Sequence, residues 1–509
     1  MKNKLYSFLV LIILFTGCKK DKNIAKDASS GFNVDVLTIP NSSGKAEFTI
    51  KWEFAEWEIS TDVNGFISGF TFLKGGSLNH TSATRVSFNY TDNPTSMERK
   101  QDITLTNKTT GEKTVLTVTQ SAPLPVELTL DASIQYQNIT GFGGMNTSWG
   151  PKITVEDVEK MYSSNGLGYN MMRVMIYPKK ADWGTDVASI LKAQSLGARI
   201  LASPWTPPSE MKSSNSNLHG YLLPTKYGDY VQHLNDFIAF MKDKGIIIEA
   251  ISIQNEPDWS PEYDGCEWSP EQILDFIKNY AGNINAKVVA AEAVNFKKMY
   301  TDPVLNDPIA VNNLDIAGGH LYGGGLLDYP LARQKGKEIW MTEHLLNEVN
   351  SGMGWPQALV FAKELNDCME SNFNAYFWWY LKRYYSMLGD GEKGTTMGEI
   401  LKRGYVLSHY AKYATGRKRI QIGKIANNAN VNITAYSGQN DITLVFVNNG
   451  TSAVPSVKIN LTTAVKSGEG VITSETQNME PTNVDIGADK KSVMISLPAK
   501  TVVSIKLNK

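Results

Sequence analysis

Between Ile139 and Tyr380 the sequence alternates eight short apolar runs with more polar stretches of helical spacing, and few folds accept that pattern. The runs are ITGFGG, MRVMIY, ARILASPW, AISIQNEP, KVVAAEA, LDIAGGHLY, EIWMTEH and NAYFWWY. Short runs that are apolar at successive positions suit strands covered on both faces, as in a parallel sheet. The stretches between them, such as YVQHLNDFIAFMKDKG and PEQILDFIKNYAGNI, repeat apolar residues at three and four spacing, which predicts amphipathic helices. Strand and helix in eight-fold alternation predict an α/β fold, a closed (β/α)8 TIM barrel over residues 139–418.

At 509 residues the chain exceeds what one core usually serves, so two or three domains are expected. From 32 to 122 the pattern changes to alternating runs, AEFTIKWEF, RVSFNY, QDITLTN and KTVLTVTQ, separated by Asn, Gly, Ser and Thr. That predicts a small all-β, immunoglobulin-like sandwich. Its WEIS, RVSFNY and TVTQSA stretches resemble the BACON modules found beside bacterial carbohydrate-active domains. Trp52 and Trp57 read as core residues or a spacer's filling, with a glycan-facing role as the alternative. Pro123 and Pro125 predict a stiff linker. At the start, Lys2 and Lys4 precede the apolar run Leu5–Phe15 and then Thr16, Gly17 and Cys18. This reads as an export signal over 1–18 and resembles a bacterial lipoprotein cleavage site, with Cys18 as the lipidated residue; an ordinary cleaved signal is the alternative. A polar tether follows over 19–31. The expected location is lipid-anchored in the bacterial outer membrane, at the cell surface or the periplasmic face, with membrane contact only through Cys18. The remaining cysteines, Cys266 and Cys368, are too few for a disulfide framework and read as free.

A net charge of −1 gives no electrostatic case for nucleic acid or an anionic surface, while 11 Trp, 22 Tyr and 18 Phe suit a protein that stacks flat rings, sugars included. Two of the eight runs end in a glutamate, Glu256 in AISIQNEP and Glu343 in EIWMTEH. Counting places them on strands four and seven, 343 − 256 = 87 residues apart, or three steps of roughly 30 residues. Both then reach the C-terminal rim, where barrel active sites are built. Such a pair fits a retaining glycosidase, with Glu256 as the acid and Glu343 as the attacking carboxylate. Asn255 beside the acid suits a hydrogen bond to a substrate 2-hydroxyl, or a turn before Pro257. Arg173 on the second strand suits a bidentate hold on a carboxylate, or a structural ion pair. Tyr322 after the sixth strand is placed to reach the nucleophile, or to pack. Trp149, Trp205, Trp259, Tyr263 and Trp379 follow strand ends and are candidates for solvent-facing sugar platforms, Trp205 and Trp379 flanking the scissile bond. Trp268, opening WSPEQ, reads as a packing staple. There is no metal-spaced His/Cys cluster, phosphate loop or dinucleotide fingerprint, so neither metal nor cofactor is expected.

FGGMN (142–146), ASPWTPPSEMK (202–212), IQNEP, HLYGG (320–324), WMTE, FWWYLKRYY (377–385) and KRGY (402–405) occur in this order. With them the chain from Val126 to Lys509 resembles glycoside hydrolase family 30, and within it the bacterial glucuronoxylanases of subfamily 8. The resemblance implies a fused side β-sandwich made from 419–509, with 126–138 as its first strand. It implies Glu256 as acid/base and Glu343 as nucleophile of an endo-acting, retaining enzyme that cleaves β-1,4-xylosidic bonds in methylglucuronoxylan. The implied partner is xylan alone, with no cofactor, and the chain is expected to be a monomer. Arg383 and Tyr385 match the arginine and tyrosine that bind the uronic acid branch in that subfamily; an Arg383–Asp390 ion pair is the competing reading. Where the subfamily places aromatic and hydroxyl residues after the nucleophile, this chain reads His344-Leu345-Leu346-Asn347-Glu348. Leu345 has no hydrogen bond to give and Glu348 would repel a uronate, so relaxed dependence on the branch is expected. The alternatives are a β-1,6-glucanase, an exo-xylosidase, an endo-xylanase indifferent to uronate, and a non-catalytic glycan-binding lipoprotein.

Overall fold

The structure is a computed structural model that describes residues 28–95, 97–346, 354–426 and 428–509. The export signal, Cys18, most of the tether, Asn347 and Glu348 lie outside the described residues. The chain divides into two compact units at Leu124/Pro125.

In the second unit eight parallel strands close into a barrel: β1 (Gly141–Met145), β2 (Met171–Ile176), β3 (Arg199–Pro204), β4 (Ile248–Ser252), β5 (Lys287–Ala293), β6 (Ile316–His320), β7 (Glu338–His344) and β8 (Ala375–Tyr380). All eight apolar runs supply its strands, as the alternation predicts. The barrel interior is packed by Met171, Leu201, Ala250, Val289, Ile316, Trp340, Ala375 and Phe377. Closure between β1 and β2 requires glycine, because a Cβ on Gly143 would stand 1.7 Å from the Met171 carbonyl oxygen. Outside, the helix Tyr227–Asp243 buries Tyr230, Leu234, Phe237 and Met241, its three-and-four stripe, against the sheet. The helix Pro270–Asn279 begins at a Ser269 capping box, and Trp268 just before it is buried against Tyr227 and Phe276.

A ten-stranded sheet completes this unit. Val126–Asn138, the segment before the barrel, lies inside the sheet between Lys418–Ile422 and Val454–Leu461, both of which follow the barrel in sequence. One face has its own core, including Leu128, Leu130, Ile433, Leu444, Phe446, Ile459 and Ile505. Tyr436, Val445, Val447 and Val502 join the barrel's outer core instead. Barrel and sheet therefore share buried surface.

The first unit is a separate seven-stranded sheet. Gly44–Thr61 pairs with Lys74–Tyr90, and the register slips after Glu53, where Phe54 adopts φ 44°. That bulge moves the buried set from even positions (Phe48, Ile50, Trp52) to odd ones (Ala55, Trp57, Ile59), so one long strand keeps a single apolar face. Trp52 and Trp57 are both core residues. One expectation is corrected here. Ser29–Phe32 pairs with Ile50–Glu53, so residues 29–31 belong to the sheet and not to the tether, because their backbone groups complete an edge of it.

Candidate active site

Strand β2 carries Arg173 into the barrel mouth, wholly buried, and its guanidinium is shared out among four side chains. Nη1 donates to Glu343 Oε2 at 2.5 Å, Nη2 to Asn255 Oδ1 at 2.7 Å and to Glu292 Oε2 at 3.3 Å, and Nε to Ser203 Oγ at 3.1 Å. The other Glu343 oxygen, Oε1, accepts from the Tyr322 hydroxyl at 2.8 Å. Each oxygen of Glu343 is thus pinned by a donor, one of them charged. Glu256 sits in the loop beyond β4 in a left-handed conformation, φ 47°, with its N–H donating to the Glu292 carbonyl at 3.1 Å. Glu292, inside β5, is also left-handed, φ 53°. Side chains other than glycine hold such backbone only where their surroundings fix it, a form of strain that gathers at functional sites. His320 Nδ1 lies 3.0 Å from Glu256 Oε1, and its Nε2 lies 3.9 Å from Glu292 Oε1.

Electrostatics follow from this crowding. Burial pushes the Glu343 carboxyl up and the Glu256 charge adds to that, against His320, Arg173 and the Tyr322 hydroxyl. Burial would also raise Glu292, yet Arg173 and His320 hold it well below the usual carboxylate range. Burial alone would lower His320, but the charges of Glu343, Glu256 and Glu292 outweigh it and bring the imidazole up to about 9. An oxygen of Glu256 and one of Glu343 lie within 4.8 Å of each other. Arg173 and Tyr322 work against the rise of the Glu343 carboxyl by favouring its anion. Ligand atoms of Glu256, His320 and Glu343 all fall within 4.8 Å, a spacing a cation could bridge. The guanidinium already bound to Glu343 and the charge on His320 oppose a metal ion there.

Above the pair opens a cavity of about 940 Å³ lined by Trp149, Trp205, Glu256, Trp259, Tyr263, Asp264, Val294, Tyr322, Glu343, Leu345 and Trp379. It brings together the two glutamates, Tyr322 and all five proposed platform aromatics. Trp149, Trp259 and Tyr263 are half exposed, as a platform requires. Trp205 corrects its expectation. It is only 2% exposed, wedged beside the Arg173 guanidinium at 4.8 Å and the Trp379 ring at 5.8 Å, so it forms floor rather than a solvent-facing face. Trp379 likewise belongs to β8 itself and does not follow it.

Arg173, Asn255, Arg383 and Tyr385 are not part of that lining. Arg383 Nη1 lies 3.3 Å from Asp390 Oδ2, and Tyr385 is buried with its backbone carbonyl accepting from Arg403. The ion pair that competes with the uronate reading is formed. Glu292 and His320 do not stand out in the sequence as site residues. A signal for Glu292 is present in KVVAAEA, a charged residue inside a run whose neighbours are all buried.

No family model matches the chain. The protein is 36% identical over 399 residues to glucuronoxylanase XynC of Bacillus subtilis (strain 168), covering 75% of this chain and 92% of that one. The chain belongs to glycoside hydrolase family 30. Among solved structures, this glycoside hydrolase resembles the family 30 subfamily 8 xylanase Xyn30A from Clostridium acetobutylicum, with a TM-score of 0.69 and 32% identity, over 75% of this chain and all of that one. The family 30 endoxylanase of Clostridium papyrosolvens C71 is similar at a TM-score of 0.66 and 34% identity, again over 75% and 100% of the two chains.

Proposed function

We propose that this family 30 enzyme is an endo-acting, retaining xylanase that cleaves β-1,4-xylosidic bonds in glucuronoxylan. The observation that supports the retaining mechanism is the approach of one carboxyl oxygen of Glu256 to one of Glu343 within 4.8 Å. Retaining pairs stand about 5 Å apart, whereas inverting pairs leave roughly 6.5–9.5 Å for a water. Glu343, held as an anion by Arg173 and Tyr322, attacks the anomeric carbon while Glu256 gives its proton to the departing glycosidic oxygen. In the second half-reaction Glu256 takes a proton from water as that water displaces Glu343. Asn255 spends its carbonyl oxygen on Arg173, which leaves its amide N–H groups for a substrate 2-hydroxyl. Half-exposed Trp149, Trp259 and Tyr263 supply ring faces along the cavity. The identity to glucuronoxylanase XynC supports xylan as the substrate.

A second reading concerns the branch. In the subfamily that the chain resembles, an arginine at the position of Arg383 binds uronate; here Arg383 already faces the fully buried Asp390 and Leu345 forms part of the cavity wall. A uronate arriving there meets a partly neutralised cation and an apolar side chain, so dependence on the branch is relaxed. Product analysis on methylglucuronoxylan and on debranched xylan tests both readings. The expected result is internal cleavage of both polymers, with Arg383→Ala lowering the preference for glucuronoxylan by no more than about tenfold, the worth of one exposed charge-assisted contact. Release of single xylose units, or cleavage of a β-1,6-glucan in place of xylan, would replace the first reading. Binding of xylan with no reducing sugar released would mean a glycan-binding protein. We also read residues 32–122 as a BACON-type module and Cys18 as a lipid attachment site that anchors a monomer to the outer membrane. Labelled palmitate incorporation that disappears in Cys18→Ser tests the anchor.

A further inference from the structure

Glu292 is not part of the cavity wall, yet it is the point at which both halves of the catalytic pair meet. Its carboxylate accepts from Arg173, the cation bound to Glu343, and faces His320, the ring bound to Glu256. Its backbone carbonyl accepts the Glu256 N–H. We propose that Glu292 is a positioning residue for catalysis, the shared counter-ion that fixes Arg173 against Glu343 and His320 against Glu256 and so decides which carboxyl group keeps the proton. The inference rests on the reading of Glu256 and Glu343 as the catalytic pair.

Charge balance is what gives Glu292 this role. Side chains from five positions around the mouth face one another: Arg173 on β2, Glu256 after β4 with Tyr263 beyond it, Glu292 on β5 with Ser252 of β4 alongside, His320 and Tyr322 at the end of β6, and Glu343 on β7. Two cations, Arg173 and His320, meet three carboxyl groups. The buried cluster is neutral only when one carboxyl carries a proton, and a buried cluster with net charge is costly. Glu292 is the poorest place for that proton, since it sits between both cations. Glu343 carries a guanidinium on one oxygen and a tyrosine hydroxyl on the other, and both donors favour its anion. With Glu256 as the general acid, the proton the count requires is the one that Glu256 donates. Without the Glu292 charge, two cations face two carboxyl groups, and the neutral state has both catalytic glutamates ionised. The acid would then be formed only at lower pH.

The test is the pH dependence of kcat/KM on xylan for the intact enzyme, Glu292→Gln and Glu292→Asp. Loss of the charge should move both limbs of the bell to lower pH, by roughly one unit, the size expected of a charge removed from a buried cluster. Glu292→Asp keeps the charge and should return the limbs toward their original positions. A Glu292→Gln enzyme with a lower maximum and unmoved limbs would reduce Glu292 to a packing role and overturn the proposal. If the variant does not fold, the unsubstituted protein still decides. With ¹⁵N-labelled histidine, the His320 ring, assigned by the resonance lost in His320→Gln, should be doubly protonated at pH 7. A neutral ring at that pH would overturn the charge count. That measurement needs no turnover, so it separates failure of this proposal from failure of the xylanase reading.

Discussion

Two histidines of the catalytic unit have no exposed surface, and their surroundings push their protonation in opposite directions. His320 at the barrel mouth is ringed by carboxylates and is raised to about 9. His409, on the helix Lys402–Tyr413 where barrel meets sheet, has Nδ1 2.7 Å from Ser504 Oγ and Nε2 2.8 Å from Thr473 Oγ1, and burial lowers it to about 3. Burial is the same for both; the partners differ. Hydroxyls satisfy a neutral ring at both nitrogens without a charge, whereas carboxylates draw a proton into the interior. The seam between barrel and sheet is built to be stable, and the mouth concentrates charge that a merely stable fold would avoid.

The most severe way to break the mouth is to remove its nucleophile. Glu343→Gln keeps the shape and the acceptor for Arg173 but cannot attack carbon, and kcat on xylan should fall by on the order of 10⁴-fold or more. Glu256→Ala should cost less, about 10² to 10⁴-fold, the range of one general acid. It should cost least on an aryl xyloside whose leaving group needs no proton, which a comparison of that substrate with xylan would check. A Glu256→Ala enzyme equally impaired on both would mean that Glu256 is not the acid.

The seam breaks differently. His409→Ala leaves two hydroxyls facing a hole, and loss of two buried hydrogen bonds and a ring should lower stability by about 2–4 kcal/mol. Thermal unfolding should register this while kcat per folded molecule stays near that of the unsubstituted enzyme. A variant that unfolds normally but loses activity would abolish the contrast between the two regions.

How legible each region is in the sequence follows from the same distinction. The barrel strands can be read from their eight apolar runs because burial on both faces leaves a local signature. Glu256 and Glu343 can be read because strand counting converts position along the chain into position on the rim. Arg173 is visible as a candidate but not its four partners, since those come from β3, the loop after β4, β5 and β7 and are joined only by closure of the barrel. His320 stays hidden for that reason, and Glu292 shows only as the charge inside KVVAAEA, without its partners. Trp205 reads as solvent-facing because sequence places it after a strand without revealing that Arg173 and Trp379 close over it. The bulge at Phe54 is equally silent, since alternation that changes parity looks like two strands rather than one.

The smallest effect is the most direct comparison of the two histidines. His409 has a folded-state value of about 3, below its ordinary 6.5, so its stabilisation is complete above pH 6.5 and is lost as pH falls toward 3. In that window the unfolded chain binds a proton that the folded protein refuses, and stability should decline by roughly 1 kcal/mol per pH unit from this group. His233, lowered to about 4 by burial, acts in the same direction, so the His409 share is the slope that disappears in His409→Gln. His320 has the opposite sign. Raised to about 9, it contributes fully below pH 6.5 and loses its contribution as pH rises through 9. Urea midpoints at pH 7, 6 and 5 for the His409→Gln pair, and at pH 7, 8 and 9 for His320→Gln, should therefore show one slope vanish on the acid side and the other on the alkaline side. Two slopes on the same side would mean that the rings share a charge state, and the contrast between mouth and seam would have to rest on something other than their partners.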